Sequence, residues 1–358
     1  MKNIFLLTIV SLIALGGCKS ATDKVKKDFL PLARGEADEI ILVIDSTHWK
    51  STVGDEIKDL YQEYMPMLPQ DEHEFALNKV NPRRLNSVLK HAKNMIFVMT
   101  LDSKTLESRT IREYFTDNSL KMIQRDSSLF YTVRRDEFAK GQIVLYLFGQ
   151  TEEQLVESIR DNKSSLKELF ASAVRERVRD EVYSKVEKGL TRSIAEEHTF
   201  SIQVPYGWSI AKNLDNFVWM RYLESDHELN VFCYEGPYRD QKVFNKVDEF
   251  RDEITSEYLR DSEKPQLFIQ RQAQIPILTK RVTFKKRFAV ETRGLWKISD
   301  SSGGGPFVSY TFVDEDTQKI YYIEGYVYAP ATKKKHLVRK VESILSTFEV
   351  DSIGGNPS

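Results

Sequence analysis

The residues that could most directly bind a ligand form a serine and glycine segment near the C-terminus. Ser302, Gly303, Gly304 and Gly305 lie within "SDSSGGGPFVSY", residues 299–310. Consecutive glycines can leave backbone amides free to surround a phosphate or carboxylate, and serine hydroxyls add donors. A phosphate-binding loop, however, ends in Gly-Lys-Ser/Thr and opens a helix, whereas Pro306 and a strand follow here. The pattern favours a flexible or bulged connection before a strand over a ligand loop.

A second candidate is "DSTHW", residues 45–49, which places an aspartate, a serine and His48 directly after an apolar strand. Sites in α/β folds often lie where strands end. Adjacent residues cannot all point at one another, so a capped turn with an exposed imidazole is the simpler interpretation.

The histidines show no metal-type spacing, and we interpret "DEHE", residues 71–74, as a solvated loop. We therefore predict no catalytic residue, no metal and no cofactor.

Tyrosines are concentrated in "KIYYIEGYVYAP", residues 319–330. In a strand, Tyr322, Tyr326 and Tyr328 share one face, and Tyr321 lies on the other. One of these two sets must belong to the core. The other set is either an exposed recognition surface, because tyrosine covers apolar partners at low entropic cost, or it lies beneath a helix.

The first 20 residues predict an export signal. Residues 4–20 read "IFLLTIVSLIALGGCKS", and this apolar run is shorter than the about 20 residues that a spanning helix needs. The ending Leu15-Gly16-Gly17-Cys18 resembles the lipobox of bacterial lipoproteins, which implies a signal peptide at 1–17 and acylation of Cys18. An ordinary signal peptide with an incidental cysteine is the alternative.

The residues after Cys18 bear on location. Residues 18–37 form a tether in which Lys19, rather than an aspartate, follows the cysteine, and Asp23 is a lone early acid. We predict an outer-membrane lipoprotein that faces the periplasm, with the cell surface or the inner membrane as alternatives.

The formal net charge is −1, which gives no basic surplus for a nucleic-acid partner. Cys233 is predicted to pack as a small hydrophobe in a strand.

The periodicity of apolar residues predicts an α+β protein with two α/β-mixed modules. The N-terminal module, residues 38–190, alternates strands and helices and ends in long helices, the last of which covers 164–187 and stops at Gly189. The C-terminal module, residues 191–350, is predicted to be an antiparallel sheet packed with helices. Residues 351–358 are a tail.

Two resemblances accompany this pattern. "FSIQVPYGWSIAKNLDNFVWMR", residues 200–221, with the order of the following elements and the terminal "VESILSTFEV", resembles the α+β sandwich of the Mog1 and PsbP group. That resemblance implies a binding or assembly factor. The full chain, including residues 291–330, resembles a Bacteroidota lipoprotein family known as domain of unknown function four-eight-three-seven. This second resemblance implies an envelope lipoprotein and supplies no catalytic residues.

Two functional hypotheses follow. The first is a lipid-anchored binding or assembly module of the periplasmic envelope, which contacts the membrane through acylated Cys18 and acts on envelope proteins or glycan. The second is a cell-envelope hydrolase or transferase with a site near the "DSTHW" turn or the glycine segment. The enzyme hypothesis requires a concave pocket in which His48 or the amides of Gly303 to Gly305 converge with a carboxylate.

Overall fold

The structure, a computed structural model, describes residues 29–351 and consists of two compact units. Residues 29–46 and 78–155 form the first unit, and residues 47–77 and 156–351 form the second. The predicted α+β class is confirmed. The predicted signal peptide, Cys18 and residues 352–358 lie outside the described residues, so their assignments stay predictions.

A five-stranded sheet in the order β2-β1-β3-β5-β4 forms the first unit. β1, β3 and β5 run parallel, and β4 is antiparallel to β5. β3 and β5 are buried at every position, as expected for strands whose two faces are both covered. The strand bounds are β1 Glu39–Val43, β2 Ala76–Val80, β3 Asn94–Thr100, β4 Tyr131–Arg135 and β5 Ile143–Gly149.

An eight-stranded sheet dominates the second unit, in the order β10-β12-β13-β14-β9-β8-β7, with β11 also paired to β12. Every pair of neighbouring strands in it is antiparallel, as predicted for the C-terminal module. The short strands β6 Phe200–Ser201 and β15 Glu349–Val350 pair separately. The remaining bounds are β7 Ser209–Leu214, β8 Phe217–Leu223, β9 Glu228–Pro237, β10 Ile269–Arg271, β11 Leu278–Phe284, β12 Arg287–Ile298, β13 Gly304–Asp314 and β14 Lys319–Tyr328.

Most helices follow the apolar periodicity of the sequence, but the long helix of the N-terminal module is shorter than predicted. The long helix was predicted to continue to Gly189, but it ends at Val182, and Gly189 lies in the first turn of the next helix. In chain order the helices are α1 Ser46–Trp49, α2 Thr52–Tyr61, α3 Ser87–Lys90, α4 Leu106–Arg112, α5 Asp117–Arg125, α6 Glu152–Asp161, α7 Lys163–Val182, α8 Lys188–Glu197, α9 Val247–Tyr258 and α10 Lys335–Leu345. Over residues 29–351, none of the helices has the length and apolarity that crossing a membrane requires.

Each face of the eight-stranded sheet has its own core. On one face, Val341, Ile344 and Leu345 of α10 pack with buried residues of the central strands such as Val231 and Tyr321. On the other face the core is aromatic and includes Phe217, Phe232, Trp296, Phe307, Tyr322 and Tyr326, with Ile254 from α9. A sheet with two covered faces cannot show a simple apolar and polar alternation, which explains why its strands read as nearly continuous apolar runs.

A segment from early in the chain packs within the second unit. Residues 47–77 contribute α2, whose Tyr61 hydroxyl donates to the carbonyl of Leu166 in α7 over 3.1 Å. Farther along this segment, the buried carboxylate of Glu72 accepts hydrogen bonds from the amides of Lys334 and Lys335 where α10 begins. Whether the chain divides near residue 190 into separately folding domains, as predicted, stays a prediction.

Candidate functional site

Asp45 and Ser46, the first residues of "DSTHW", lie at the carboxyl end of β1 in the first unit, where sites occur in open parallel sheets. β2 and β3 lie on opposite sides of β1, so the sheet order reverses at this point. The fully buried Asp45 carboxylate accepts hydrogen bonds from the hydroxyls of Ser103, at 3.2 Å, and Thr105, at 3.3 Å. These bonds fasten the loop after β3 to the end of β1.

Glu107, at the start of α4, forms a second group of hydrogen bonds at the end of β1. Its carboxylate accepts from the amide of Ser46 over 2.6 Å and also from the side chains of Ser46 and Asn81. The Ser46 amide is the main reason why the pKa of Glu107 is lowered. His48 was predicted to be exposed, but it is only 3% exposed, because it faces inward at the end of the short helix α1. The hydrogen bonds of this cluster hold loops together.

The glycine segment is part of the sheet. β13 begins at Gly304, and Gly304 and Gly305 pair with Lys297 and Trp296 of β12. A Cβ atom on Gly305 would clash with the carbonyl oxygen of Val327, so the close approach of β14 requires glycine there.

Ser302 and Gly303 precede that strand and do not form an anion cradle with it. The amide and hydroxyl of Ser302 both donate to the carboxylate of Asp300, at 2.9 and 2.6 Å, and the carbonyl of Gly303 accepts from the amide of Ile298. The negative charge of Asp300 would repel a bound anion at this point. The candidate ligand loop Ser302, Gly303, Gly304 and Gly305 is therefore a strand connection, which is the alternative that the sequence pattern favoured.

The tyrosines of β14 belong to the core on both faces of the sheet. Tyr321 is fully buried on the α10 face, while Tyr322 and Tyr326 are 1% and 2% exposed on the α9 face. Tyr328, at the end of β14, is half-buried. Of the two alternatives left open for this set, the structure shows the helix-covered one at Tyr322 and Tyr326 and not an exposed interface, because α9 and neighbouring aromatic side chains cover that face.

A buried ion pair fixes α9 on this aromatic face. Arg251 lies at an inward position of α9, and its guanidinium donates two hydrogen bonds of 2.8 Å to the carboxylate of Glu324 in β14. The Tyr322 hydroxyl donates to the same carboxylate over 2.5 Å, and the guanidinium lies 4.1 Å from the ring centroid of Phe307. Burial by itself lowers the pKa of Arg251, but the charge of Glu324 outweighs burial and raises it, so the arginine stays charged.

An open pocket lies beside the first turns of α9. Its volume is about 370 Å³, which is within the size range of small-ligand sites. Tyr234 and Phe250 form an edge-to-face pair in its wall, with ring centroids 6.0 Å apart. Apolar contact comes from Tyr234, Pro237, Tyr238, Val243, Phe250 and Ile320, and the charged rim consists of Arg239, Asp240, Lys242, Lys246, Glu249 and Glu253.

The rim of this pocket carries charges of both signs. Lys246 pairs with Glu249 at 2.9 Å, and the hydrogen bond that Lys246 donates to that carboxylate raises the pKa of Lys246. Arg239 and Glu253 make no ion pair within residues 29–351, and both act on the ionisation of Tyr234. Burial is the main reason why the pKa of Tyr234 is raised, so its hydroxyl remains a hydrogen-bond donor near neutral pH. The pocket thus offers aromatic walls, a hydroxyl donor and one unpaired charge of each sign.

A second group of side chains with shifted pKa values lies beside β6, next to the large sheet. His198 Nδ1 is 3.6 Å from Glu235, and Lys319 Nζ donates to the same carboxylate over 2.7 Å. Burial alone raises the pKa of Glu235, but the nearby His198 ring and hydrogen bonds from Lys319 and Thr199 outweigh burial and lower it to about 2. Burial lowers the pKa of His198, while the nearby Glu235 carboxylate and the hydrogen bond between Nε2 and Asn213 outweigh burial and raise it. A carboxylate held ionised in this way is a weak general base, so we assign the group a structural role.

Sequence reasoning missed the Arg251 and Glu324 pair and the pocket beside it. A signal was available, because Arg251 follows Val247 by four residues and precedes Ile254 by three, on the stripe predicted to be buried. Glu324 similarly lies between Tyr322 and Tyr326 on one strand face. Two opposite charges on two predicted buried faces imply a pair, since an unpaired buried charge is costly. The pocket gave no such signal, because it is built by the ends of several elements.

Comparison with known proteins yields families without an assigned function. Residues 187–347 match the family model described as "Domain of unknown function (DUF4837)", and residues 33–183 match "Domain of unknown function (DUF8532)". The resemblance predicted for the full chain is supported over residues 187–347 alone, while a different family model matches residues 33–183; that these are Bacteroidota lipoproteins stays a prediction. No curated protein matches the chain.

Two solved structures of Mog1 are similar in part. A point mutant of the protein Mog1 is 10% identical with a TM-score of 0.29, and the alignment covers 43% of this chain and 92% of that one. The Ran-binding protein Mog1p of Saccharomyces cerevisiae is 10% identical with a TM-score of 0.28, covering 42% of this chain and 90% of that one.

Proposed function

We propose that this protein is a lipid-anchored module of a bacterial envelope that binds a protein or a glycan through the pocket beside α9. Cys18 carries the acyl anchor, and the protein is an outer-membrane lipoprotein of the Bacteroidota that faces the periplasm. Partners bind without any metal or cofactor. The hydrolase or transferase hypothesis has no observation that favours it over binding, because the strand-end carboxylates and the glycine segment are engaged in holding loops and strands.

The observation that carries the binding proposal is the combination of aromatic walls and unpaired charges in one pocket. Tyr234 and Phe250 present ring surface, and such rings contribute much of the contact energy in recognition sites. Arg239 and Glu253 supply opposite charges that fix the orientation of a polar ligand. The buried ion pair of Arg251 and Glu324 supports this arrangement, because it holds α9, and with it Phe250, at a fixed position on the sheet.

The anchor is tested by labelling growing cells with radioactive palmitate and separating membrane from soluble fractions. We expect the native chain to be labelled and to sediment with the outer membrane. A Cys18→Ala variant exported by an unrelated signal peptide should be unlabelled and should appear in the periplasmic fraction. Label in the Cys18→Ala variant, or a native chain that is soluble and unlabelled, would contradict the anchor.

The pocket is tested by in vivo crosslinking from a photoreactive phenylalanine analogue at position 238. A matched control carries the same analogue at position 206, where Tyr206 is exposed on a turn far along the chain from the pocket. We expect specific adducts, either with one envelope protein or with cell-wall glycan, from position 238 alone. Arg239→Glu should reduce these adducts at least several-fold. Equal adduct patterns from both positions, or no effect of Arg239→Glu, would refute recognition by the pocket.

A further inference from the structure

The strand β11 is an open edge of the large sheet. It pairs with β12 over Leu278–Phe284, and within residues 29–351 its outer side has no strand partner. Six of its seven residues are at least partly exposed. In an antiparallel ladder every second residue directs its amide and carbonyl away from the paired strand, so β11 offers a row of backbone donors and acceptors.

This edge is strongly basic. Lys280, Arg281, Lys285, Lys286 and Arg287 lie within ten residues of one another, and residues 278–290 contain no acid. Two of the five charges are neutralised within the second unit, since Lys285 pairs with Glu349 and Arg287 pairs with Asp314. Lys280, Arg281 and Lys286 form no ion pair in the described part of the chain.

The two basic residues in the middle of β11 project to opposite faces of the sheet. Lys280 lies opposite Glu291 on β12, whereas Arg281 lies opposite Val290 and has no acidic residue beside it on that face. A strand added alongside β11 would therefore meet a positive charge above and below the sheet at adjacent positions. Glutamate or aspartate at two consecutive positions of the added strand would meet both charges.

We propose that β11 binds an extended acidic segment of a partner protein, which adds to the sheet as an antiparallel or parallel edge strand. Backbone hydrogen bonds supply part of the binding energy, and the pairing of consecutive acids with Lys280 and Arg281 supplies the selection. A second copy of this chain is disfavoured as the occupant, because pairing β11 with itself would bring like charges together. This surface is separate from the pocket proposed above, so either proposal can fail while the other stands.

The test uses the full chain after the signal peptide and a fluorescent ten-residue probe peptide, with two adjacent glutamates in a threonine and valine background. We expect saturable binding by fluorescence anisotropy, and we expect Arg281→Glu to weaken it at least about tenfold. Arg192→Glu, in an exposed helical position of the same unit, is the matched control and should leave binding unchanged. A probe with two lysines in place of the glutamates should not bind.

Two further probes distinguish strand addition from simple charge attraction. One is N-methylated at its even positions and the other at its odd positions, so that each lacks the amide donors of one edge. Because an added strand uses one edge, we expect one of these probes to lose binding and the other to retain it. Equal binding of both N-methylated probes, or no saturation of the parent probe up to about 1 mM, would overturn the proposal.

Self-association is measured on the same samples by sedimentation velocity. We expect a monomer without peptide, at every concentration tested. A dimer that forms with rising concentration and becomes tighter in Arg281→Gln, which removes one of the repelling charges, would show that the edge pairs with a second copy and would overturn the acidic partner. The thermal midpoints of both Arg281 variants should match that of the native chain, which excludes unfolding as the cause of lost binding.

Discussion

At the scale of single residues, Arg251 and Glu324 are the charges whose loss should cost most. Both are almost completely buried, and the bidentate pair with the Tyr322 hydroxyl satisfies the Glu324 carboxylate. Arg251→Met should lower the free energy of unfolding by about 3–5 kcal/mol, because it leaves a buried carboxylate without a cation. Urea unfolding of the full chain measures this change.

Two companion variants interpret that result. The double variant Arg251→Met with Glu324→Leu should recover most of the loss, since it removes both buried charges. Arg239→Met, on the exposed pocket rim, should change the free energy of unfolding by less than about 0.5 kcal/mol. A single Arg251→Met variant as stable as the Arg239→Met control would contradict the role of the ion pair.

The shifted pKa values of His198 and Glu235 make the stability of the folded protein depend on pH. The pKa of His198 is raised in the folded protein, so its contribution is complete below the unfolded value of about 6.5 and is lost as pH rises through the folded value. Glu235 has a lowered pKa of about 2, so its contribution is complete above about 4.3 and is lost as pH falls toward 2. The two contributions are both complete between about pH 4.5 and 6.5.

Thermal unfolding between pH 5 and 8 tests this pH dependence. On going from pH 6 to pH 8, the native chain should lose thermal midpoint relative to His198→Gln, since deprotonation of His198 removes the ion pair with Glu235, whose atoms are 3.6 Å apart. His227→Gln is the control, because His227 is paired with a largely exposed aspartate, and it should keep the native pH profile. If the thermal midpoints of the native chain and of His198→Gln change in parallel with pH, His198 is not the source of the pH dependence.

At the scale of elements, the start of β13 packs closely between β12 and β14. Gly305→Ala should destabilise the protein by about 1–3 kcal/mol, because the added methyl group would press on the Val327 backbone of β14. Gly303→Ala is the matched comparison, since the neighbours of its added carbon are mobile side-chain atoms of Ile298 and Tyr328. Chemical denaturation should separate the two variants. Equal stability of both would mean that β14 moves aside and that the glycine is not required.

The elements were also where sequence reasoning was most and least successful. The strand "RFAVETRGLWKI" and the inward face of α10 follow directly from apolar spacing, and the structure has both. The end of α7 was misplaced by five residues or more, because Gly189 is compatible with a helix end and also with a first helical turn. Local sequence does not decide between those two, whereas the bridge between Val186 and Pro205 fixes the chain between the helices.

At the scale of the whole molecule, the second unit depends on residues from early in the chain. Glu72 accepts from the amides of Lys334 and Lys335, at 2.7 and 3.3 Å, and so satisfies donors at the start of α10. Glu72→Ala should cost about 1–2 kcal/mol and should speed amide exchange in the first turn of α10. Asp71→Ala, at the exposed neighbouring position, should do neither. Unchanged exchange in Glu72→Ala would show that residues 47–77 are dispensable for α10.

The sequence by itself determined the α+β class, the antiparallel sheet of the C-terminal part and most inward faces, because apolar periodicity is a local property of each element. The proposed lipidation of Cys18 also rests on sequence alone. Only the tertiary structure decided that a helix covers Tyr322 and Tyr326, that Arg251 meets Glu324 across 73 positions of chain, and that residues 47–77 pack in the second unit. The pocket beside α9 and the open edge of β11 are likewise tertiary. Such features depend on which elements meet in space, and one chain's local pattern does not encode that pairing.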